Sequence, residues 1–248
     1  MRFLKNNLQT IFNGLAGLAS IIGLIILAFS NQTNAIIALS FFCAALIVLL
    51  ISILYAIHCF IKKENENNHI KVSVFTKFET IDNTHSIFET YRVIQSKRLV
   101  LTEINQMFKW SGSRLPKVSS KFQEVKDVIT EKQDYDKAIL RFKRPLLYNE
   151  TGVVHFRAET DDFDNKAKPH LDYKVAAPIN IIHYRVILKH KNSEFNAPAK
   201  ILRKPIYSKH PADYEEIGSV TFDERAKSYE YYLTNPEIGY FYRLQWEK

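Results

Sequence analysis

The chain is poor in several things at once, and each shortage excludes a class of protein. Between Lys5 and Lys62 there is no aspartate, glutamate, lysine or arginine. Only 2 of the 248 residues are cysteine, Cys43 and Cys59, and both fall in that uncharged stretch. The remainder can hold neither a disulfide framework nor a cysteine metal site, which suits a reducing compartment. Glycine is scarce, 7 in all, with only Gly112, Gly152, Gly218 and Gly239 beyond the first quarter. Neither G-x-G-x-x-G nor G-x-x-x-x-G-K-[ST] occurs, so a glycine-rich phosphate cradle is excluded. The G-x-S-x-G elbow, H-E-x-x-H, and H-x-E with C-x-x-C are missing too. The histidines past the first quarter (His69, His85, His155, His170, His183, His190 and His210) are scattered without metal-ligand spacing. Conventional enzyme chemistry has no home here, and no cofactor or metal is expected.

What fills the uncharged quarter is two long apolar runs. Residues 11–29 have about the length that crosses a hydrocarbon core as a helix, and residues 35–61 are longer. Ser30-Asn31-Gln32-Thr33-Asn34 between them is short enough to turn one helix into the next. A cleaved signal peptide is the competing reading of the first run. Its apolar core is too long for that, no small-x-small cleavage pattern follows, and a second span comes at once. The sequence therefore predicts a transmembrane hairpin over residues 1–63, a linker over 64–69 and a β-rich domain over 70–248. Arg2 and Lys5 before the first span, and Lys62 and Lys63 after the second, place both termini in the cytoplasm. The expected location is the cell inner membrane, multi-pass. Gly14, Gly17, Ser20 and Gly23 recur at three-residue steps and would let helix backbones approach closely, on the second span or on another copy. His58 is the one ionisable side chain of the spans besides the thiols, so a midplane proton relay is not expected. One copy reads as an anchor; a pore would need a homo-oligomer.

Formal charge is +8, from 34 basic and 26 acidic residues. Setting aside the four basic residues that flank the spans leaves 30 against 26, a balance of +4 for the remainder. That is short of a dedicated nucleic-acid binder and suits life beside an anionic bilayer. From His69 onward β-branched and aromatic residues alternate, with Ile70, Val72 and Val74 on one face of a first strand. Asp82-Asn83-Thr84 marks a turn, and residues 88–101 read as extended. Residues 99–108 are equally compatible with a helix. Further strands are expected over 122–129, 138–142, 152–159, 180–189, 200–206, 217–222, 229–233 and 240–246, with Arg144-Pro145-Leu146 as an interruption. Strands at this spacing, with Pro, Asn and Asp between them, predict an antiparallel β-sandwich or barrel.

Two constellations stand out. Arg185, Lys189, Lys191, Lys200, Arg203 and Lys204 form a basic stretch in which Tyr184 could stack a base. It becomes one anion-attracting surface if the strands at its ends are neighbours; the plain alternative is a solvated sheet face. Glu159, Asp161, Asp162, Asp164 and Asp172 offer oxygen ligands, but EF-hand spacing is absent and an ordinary acidic turn explains them. The aromatic C-terminus puts Tyr240, Tyr242, Leu244 and Trp246 on one face, which either closes the core or meets a partner.

Residues 142–246 resemble a prokaryotic Ig-like β-sandwich module. The matching residues are Arg144-Pro145-Leu146, Glu150-Thr151-Gly152-Val153, Asp162-Phe163, Pro178, Val186-Ile187-Leu188 and Tyr242-Arg243-Leu244-Gln245-Trp246. The layout, two spans followed by a cytoplasmic β-domain, is similar to membrane effectors of bacterial anti-phage systems. That resemblance implies a β-domain that senses a nucleotide second messenger or a protein, and spans that oligomerise to disrupt the inner membrane. The alternative is a membrane-tethered adaptor whose sandwich holds a cytoplasmic protein at the lipid bilayer. No specific nucleic-acid binding is expected of either.

Overall fold

In a computed structural model of the chain, the structure describes residues 17, 23, 32–64, 67–82, 84–110, 114–130, 135–163, 167–192, 194–208, 210 and 213–247. The chain divides into two compact units, Met1–Phe60 and Ile61–Lys248.

The first unit contains helix α1, Gln32–Glu64. Its segment Leu39–Ile61 is long and apolar enough to cross a membrane, and none of it is buried against protein. Its 23 residues rise about 34 Å, against roughly 30 Å of hydrocarbon. Phe41, Leu50, Ile51 and Phe60, which point in four directions about a quarter-turn apart, are all exposed, so apolar side chains surround the helix instead of forming one stripe. The Ser40 and Ser52 hydroxyls donate to the carbonyls of Ile36 and Val48, at 2.9 and 2.8 Å, which satisfies the polar groups within the helix itself. Gln32, Thr33 and Asn34, expected in a connecting turn, form the first helical turn instead. Polar residues are tolerated there because first-turn N–H groups lack intrahelical partners. Of the first expected span only Gly17 and Gly23 are described, both helical. A Cβ added at either would meet nothing within 4 Å. Gly14, Ser20 and the rest of that span lie outside the described residues.

The second unit is built of strands. A six-stranded sheet has the order β12-β9-β1-β2-β7-β4: Ser228–Thr234, Ile181–Leu188, His69–Thr80, His85–Ser96, Thr151–Asp161 and Lys117–Ser119. Its inner face carries two smaller sheets side by side. The sheet β11-β10-β13-β8 (Glu215–Val220, Ala199–Pro205, Tyr240–Gln245, His170–Val175) covers the β12-β9-β1 half. The sheet β3-β6-β5 (Val100–Phe108, Asp136–Leu147, Gln123–Ile129) covers the β2-β7 half. Each pairing encloses its own apolar core. One contains Val74, Ile182, Val186, Ile201 and Leu244; the other contains Ile94, Leu140, Val154 and Phe156. Phe88 packs against both.

The all-β expectation holds, with two differences in arrangement. First, β1 pairs parallel with β9, although the two are a hundred residues apart, so the large sheet is mixed and not antiparallel throughout. Nothing local in either strand encodes that pairing. Second, β1 inserts between the C-terminal strand β9 and the N-terminal hairpin partner β2, so no domain boundary separates the early strands from the later ones. The residues of the Ig-like resemblance fall mostly on β6, β7, β9 and β13, which belong to all three sheets, while Glu150, Asp162, Phe163, Pro178 and Trp246 lie just outside them. The region left open between strand and helix, residues 99–108, is strand β3, because Ile104 and Phe108 are buried in the second core. Pro145 does not interrupt β6. Leu101 opposes Leu146 while Glu103 opposes Arg141, so the ladder slips there and Pro145 needs no donor.

A second slip, between Lys71 and Ser73, overturns the expected alternation of β1. Lys71 opposes the buried Ile94, and Val74 opposes Arg92, so Lys71 and Val74 share the inner face. Ile70, expected on the same face as Val74, is exposed while Val74 is buried. Gly152 has a packing reason of its own, since an added Cβ would lie 2.7 Å from Leu146 Cδ1. Gly152→Val is therefore expected to cost about 1–3 kcal/mol by overpacking, read as a lowered urea midpoint with unchanged slope.

Candidate functional site

No other sheet packs on the outer face of the six-stranded sheet among the described residues, and registered cross-strand pairs write two rows across it. One row is aromatic: Tyr232, His183, Phe75, Tyr91 and His155, one from each of β12, β9, β1, β2 and β7. His183 stacks on Tyr232 with centroids 3.9 Å apart and on Phe75 at 4.5 Å, and Phe75 lies 5.9 Å from Tyr91. Tyr91 meets His155 at 4.6 Å, and Phe122, from the turn before β5, closes the end of the row. The rings use their faces on one another. The row is thus a rigid apolar wall more than an open stacking platform for a nucleic-acid strand.

The adjacent row is charged: Glu230, Arg185, Lys77, Glu89 and Arg157. Glu89 is its hub and is only 5 % exposed. Lys121 and His155 lie 3.4 Å from its carboxylate, Arg157 3.7 Å and Lys77 3.8 Å. Burial opposes its charge, yet Lys121, His155 and Lys77 together hold the carboxyl below its ordinary range. His155 is fully buried, which lowers its own pKa despite Glu89. Its Nδ1 accepts the Lys121 backbone N–H at 2.9 Å, so the neutral ring carries its proton on Nε2, toward Glu89. His183 donates its Nε2–H to the Glu230 carboxylate at 2.8 Å, and the Tyr232 hydroxyl donates to the same oxygen at 3.0 Å.

Between the rows opens a shallow cavity of about 470 Å³, lined by Phe75, Tyr91, Ile187, Lys77, Lys121, Glu89 and Arg185. Its size falls in the range of small-ligand sites, roughly 300–1,000 Å³. Arg185 has a buried Nε with no hydrogen-bond partner, while its charge helps to hold the Glu230 carboxyl below its ordinary range. Lys77 and Lys189, by contrast, both pair with Glu79 at 2.5 Å. The arrangement offers an apolar wall, two or three cations and one acceptor carboxylate. Lys121 Nζ donates to the Tyr91 hydroxyl at 2.7 Å across it, and no described group of three or more His, Cys, Asp or Glu could hold a metal.

The basic stretch read from sequence is not one surface, because β9 and β10 lie in different sheets. Arg185 is in the cavity and Lys189 at its margin. Tyr184 points the other way, 1 % exposed in the core, its hydroxyl donating to the Tyr242 carbonyl at 3.0 Å. Lys191 lies over Phe195 in the turn after β9. Lys200 pairs with Glu216, Arg203 with Glu215 and Glu237, and Lys204 lies over Tyr214 and Phe241, all on the four-stranded sheet. Of the acidic group, Glu159 pairs with Arg157, Asp161 lies near His85 and Arg114, Asp162 accepts the Ala167 N–H, and Asp172 takes a two-pronged bond from Arg243. Asp164 lies outside the described residues. Tyr242, Leu244 and Trp246 close the first core, with Tyr240 packed at its edge.

The cavity residues that sequence reasoning missed are Phe75, Lys77, Glu89, Tyr91, Lys121 and Ile187. Their signal was present. Both β1 and β2 carry large aromatic or charged residues at the alternate positions that an ordinary solvent face fills with small polar ones.

No family model and no curated protein matches the chain. Among solved structures it is similar to an M1 zinc metallopeptidase of Deinococcus radiodurans in a substrate-bound mutant, at 12% identity and TM-score 0.40, over 72% of this chain and 43% of that one. It is similar to baculovirus P35 at 10% identity and TM-score 0.41, over 74% and 99% of the two chains. Yeast LTA4 hydrolase in complex with bestatin aligns at 5% identity and TM-score 0.40, over 73% and 29%. The chain thus spans less than half the length of the two hydrolytic enzymes it is similar to.

Proposed function

We propose that the chain is a membrane-anchored sensor and effector of a prokaryotic anti-phage system. In this reading both termini are cytoplasmic, α1 is the second span of an inner-membrane hairpin, and the β-unit receives a nucleotide signal. The observation that carries it is Arg185, a cation with an unpartnered buried Nε in an open cavity beside an aromatic wall. A mononucleotide complements that cavity. Its base packs on Phe75, Tyr91 and Ile187, its phosphate meets Arg185 and Lys121, and a ribose hydroxyl donates to Glu89. The protein binds and relays without a catalytic step, and copies associate through the small-residue face of the first span. In bacteria expressing the full chain, a voltage-sensitive dye is expected to report depolarisation. Gly17→Leu with Gly23→Leu is expected to abolish it, because among the described residues a Cβ added at either glycine meets nothing within 4 Å, so the loss would be read as a lost contact between copies. Intact membranes at confirmed expression would remove the effector reading.

A membrane-tethered adaptor is the second reading. It is favoured by Phe122, Val153, Ile181 and Tyr232, four large apolar side chains exposed on the same outer face. A stable co-purifying cytoplasmic protein, lost on Tyr232→Glu, would support it.

A further inference from the structure

The inner face of the large sheet holds a second, opposite feature. The slip at Val72 turns Lys71 and His69 onto the covered side, where Lys71 opposes Ile94 and His69 opposes Ser96. Arg92 shares that face, between the two apolar cores, and is 7 % exposed. Its Nε and Nη2 are both buried with no hydrogen-bond partner, and so is His69 Nδ1. Lys71 Nζ lies 5.8 Å from the ring centroid of Tyr173 on β8. Among the described residues no carboxylate pairs with Arg92, Lys71 or His69.

Burying a guanidinium without a counter-charge costs several kcal/mol, and the Lys71 ammonium beside it adds repulsion. Apolar residues would fill the seam without that penalty, and the bulge that turns Lys71 inward is itself a specific device. We propose that His69, Lys71 and Arg92, closed over by Tyr173, bind a phosphate-type oxyanion, either a free inorganic anion or the phosphoryl group of an anionic lipid. A planar guanidinium with two free donors and a neighbouring ammonium match the geometry of such an anion. The site lies on the face opposite the outer cavity and does not depend on the nucleotide reading.

The protonation states agree. Burial first, then Arg92, pushes Lys71 down to about 8, and burial with Arg92 and Lys71 pushes His69 to about 4. Burial lowers Arg92 to about 10, opposed only by the Tyr173 phenol. The groups that face Lys71 are His69, Arg92 and the Tyr173 phenol, with Tyr184 behind Tyr173; burial raises both phenols, so neither supplies an anion near neutrality. A bound anion restores the Lys71 proton. Affinity should therefore fall by up to about tenfold per unit as pH rises above about 8, because binding then requires proton uptake.

The test uses the full chain in nanodiscs, with thermal unfolding followed by tryptophan fluorescence. In neutral phosphatidylcholine discs, saturating inorganic phosphate is expected to raise the Tm by about 5–10 °C relative to chloride at equal ionic strength. The rise is expected to vanish in Arg92→Met and in Lys71→Met. Arg92→Met should also melt higher than wild type without phosphate, since an apolar chain replaces an unpaired charge. A rise in phosphatidylglycerol discs without free phosphate would make the lipid headgroup the source and equally supports the site. No rise with either anion, or a rise that survives in both variants, would overturn it. If Arg92→Met does not fold, Lys71→Met decides alone.

Discussion

Replacing Arg185 by glutamate is expected to weaken mononucleotide binding by at least about thirtyfold. The measurement is calorimetric titration of the full chain in detergent with AMP and GMP, wild type against variant. The substitution removes the one cation in the cavity with an unpartnered buried donor and adds an anion beside Glu89. Losing one member of a desolvated charge pair with a ligand costs about 2–5 kcal/mol, and about 1.4 kcal/mol is tenfold. Stability should fall modestly, by under about 1 kcal/mol, because the variant sets a carboxylate opposite Glu230 in place of an attracting cation. The matched control is Arg203→Glu with Lys204→Glu. Those residues are engaged with Glu215, Glu237, Tyr214 and Phe241 on another sheet, so the pair of changes should leave nucleotide affinity within about twofold. The reverse pattern, loss at Arg203 and Lys204 with Arg185→Glu silent, would move the ligand to the four-stranded sheet.

Glu89→Ala is expected to destabilise the β-unit by about 2–4 kcal/mol in urea unfolding. The carboxylate neutralises Lys77, Lys121 and Arg157 at once and faces the Nε2–H of the fully buried His155. Removing it leaves that donor unsatisfied, at about 1–3 kcal/mol. It also leaves clustered cations that are partly exposed, so their repulsion is screened and adds less than a sealed site would. Glu89 and Glu79 are both held below the ordinary carboxylate range; burial opposes the charge of each, and surrounding cations overcome it. A depressed carboxyl contributes stability that is complete above its unfolded pKa and is lost as pH falls through the folded one. Wild type should therefore lose stability below about pH 4.5, and Glu89→Gln should show a shallower acid slope over the same range. An unchanged slope would mean that the carboxylate is not the hub of the charged row.

Much of the fold is legible in particular residues. Ile182, Tyr184, Val186 and Leu188 alternate without a break and form β9 with those side chains inward, all buried. Asp82 before Thr84 and His85 marks the β1–β2 turn, and its carboxylate accepts both backbone N–H groups, at 2.8 and 2.7 Å. Other features escaped for identifiable reasons. β4 is three residues long and has no periodicity to detect. The inward turn of Lys71 depends on one extra residue in one strand, and a slip of one residue reverses every side chain. Arg203 and Lys204 looked like neighbours of Arg185 because they are close in sequence, whereas the chain leaves the large sheet between them.

By itself the sequence determined the apolar helix, the strand-rich unit and most of its strands. These follow from local periodicity, and a run of uncharged residues or an alternation of two kinds needs no distant partner to be recognised. Only the tertiary structure decided which strands adjoin. That choice put Phe75, Tyr91, His155, His183 and Tyr232 in one row and Lys77, Glu89 and Arg185 in the next. It also gathered His69, Lys71 and Arg92 on the hidden face. The physical reason is the same in each case: cross-strand neighbours are fixed by register and by the parallel β1–β9 pairing. Those are settled by burying two cores against one sheet, and no short window of sequence contains them.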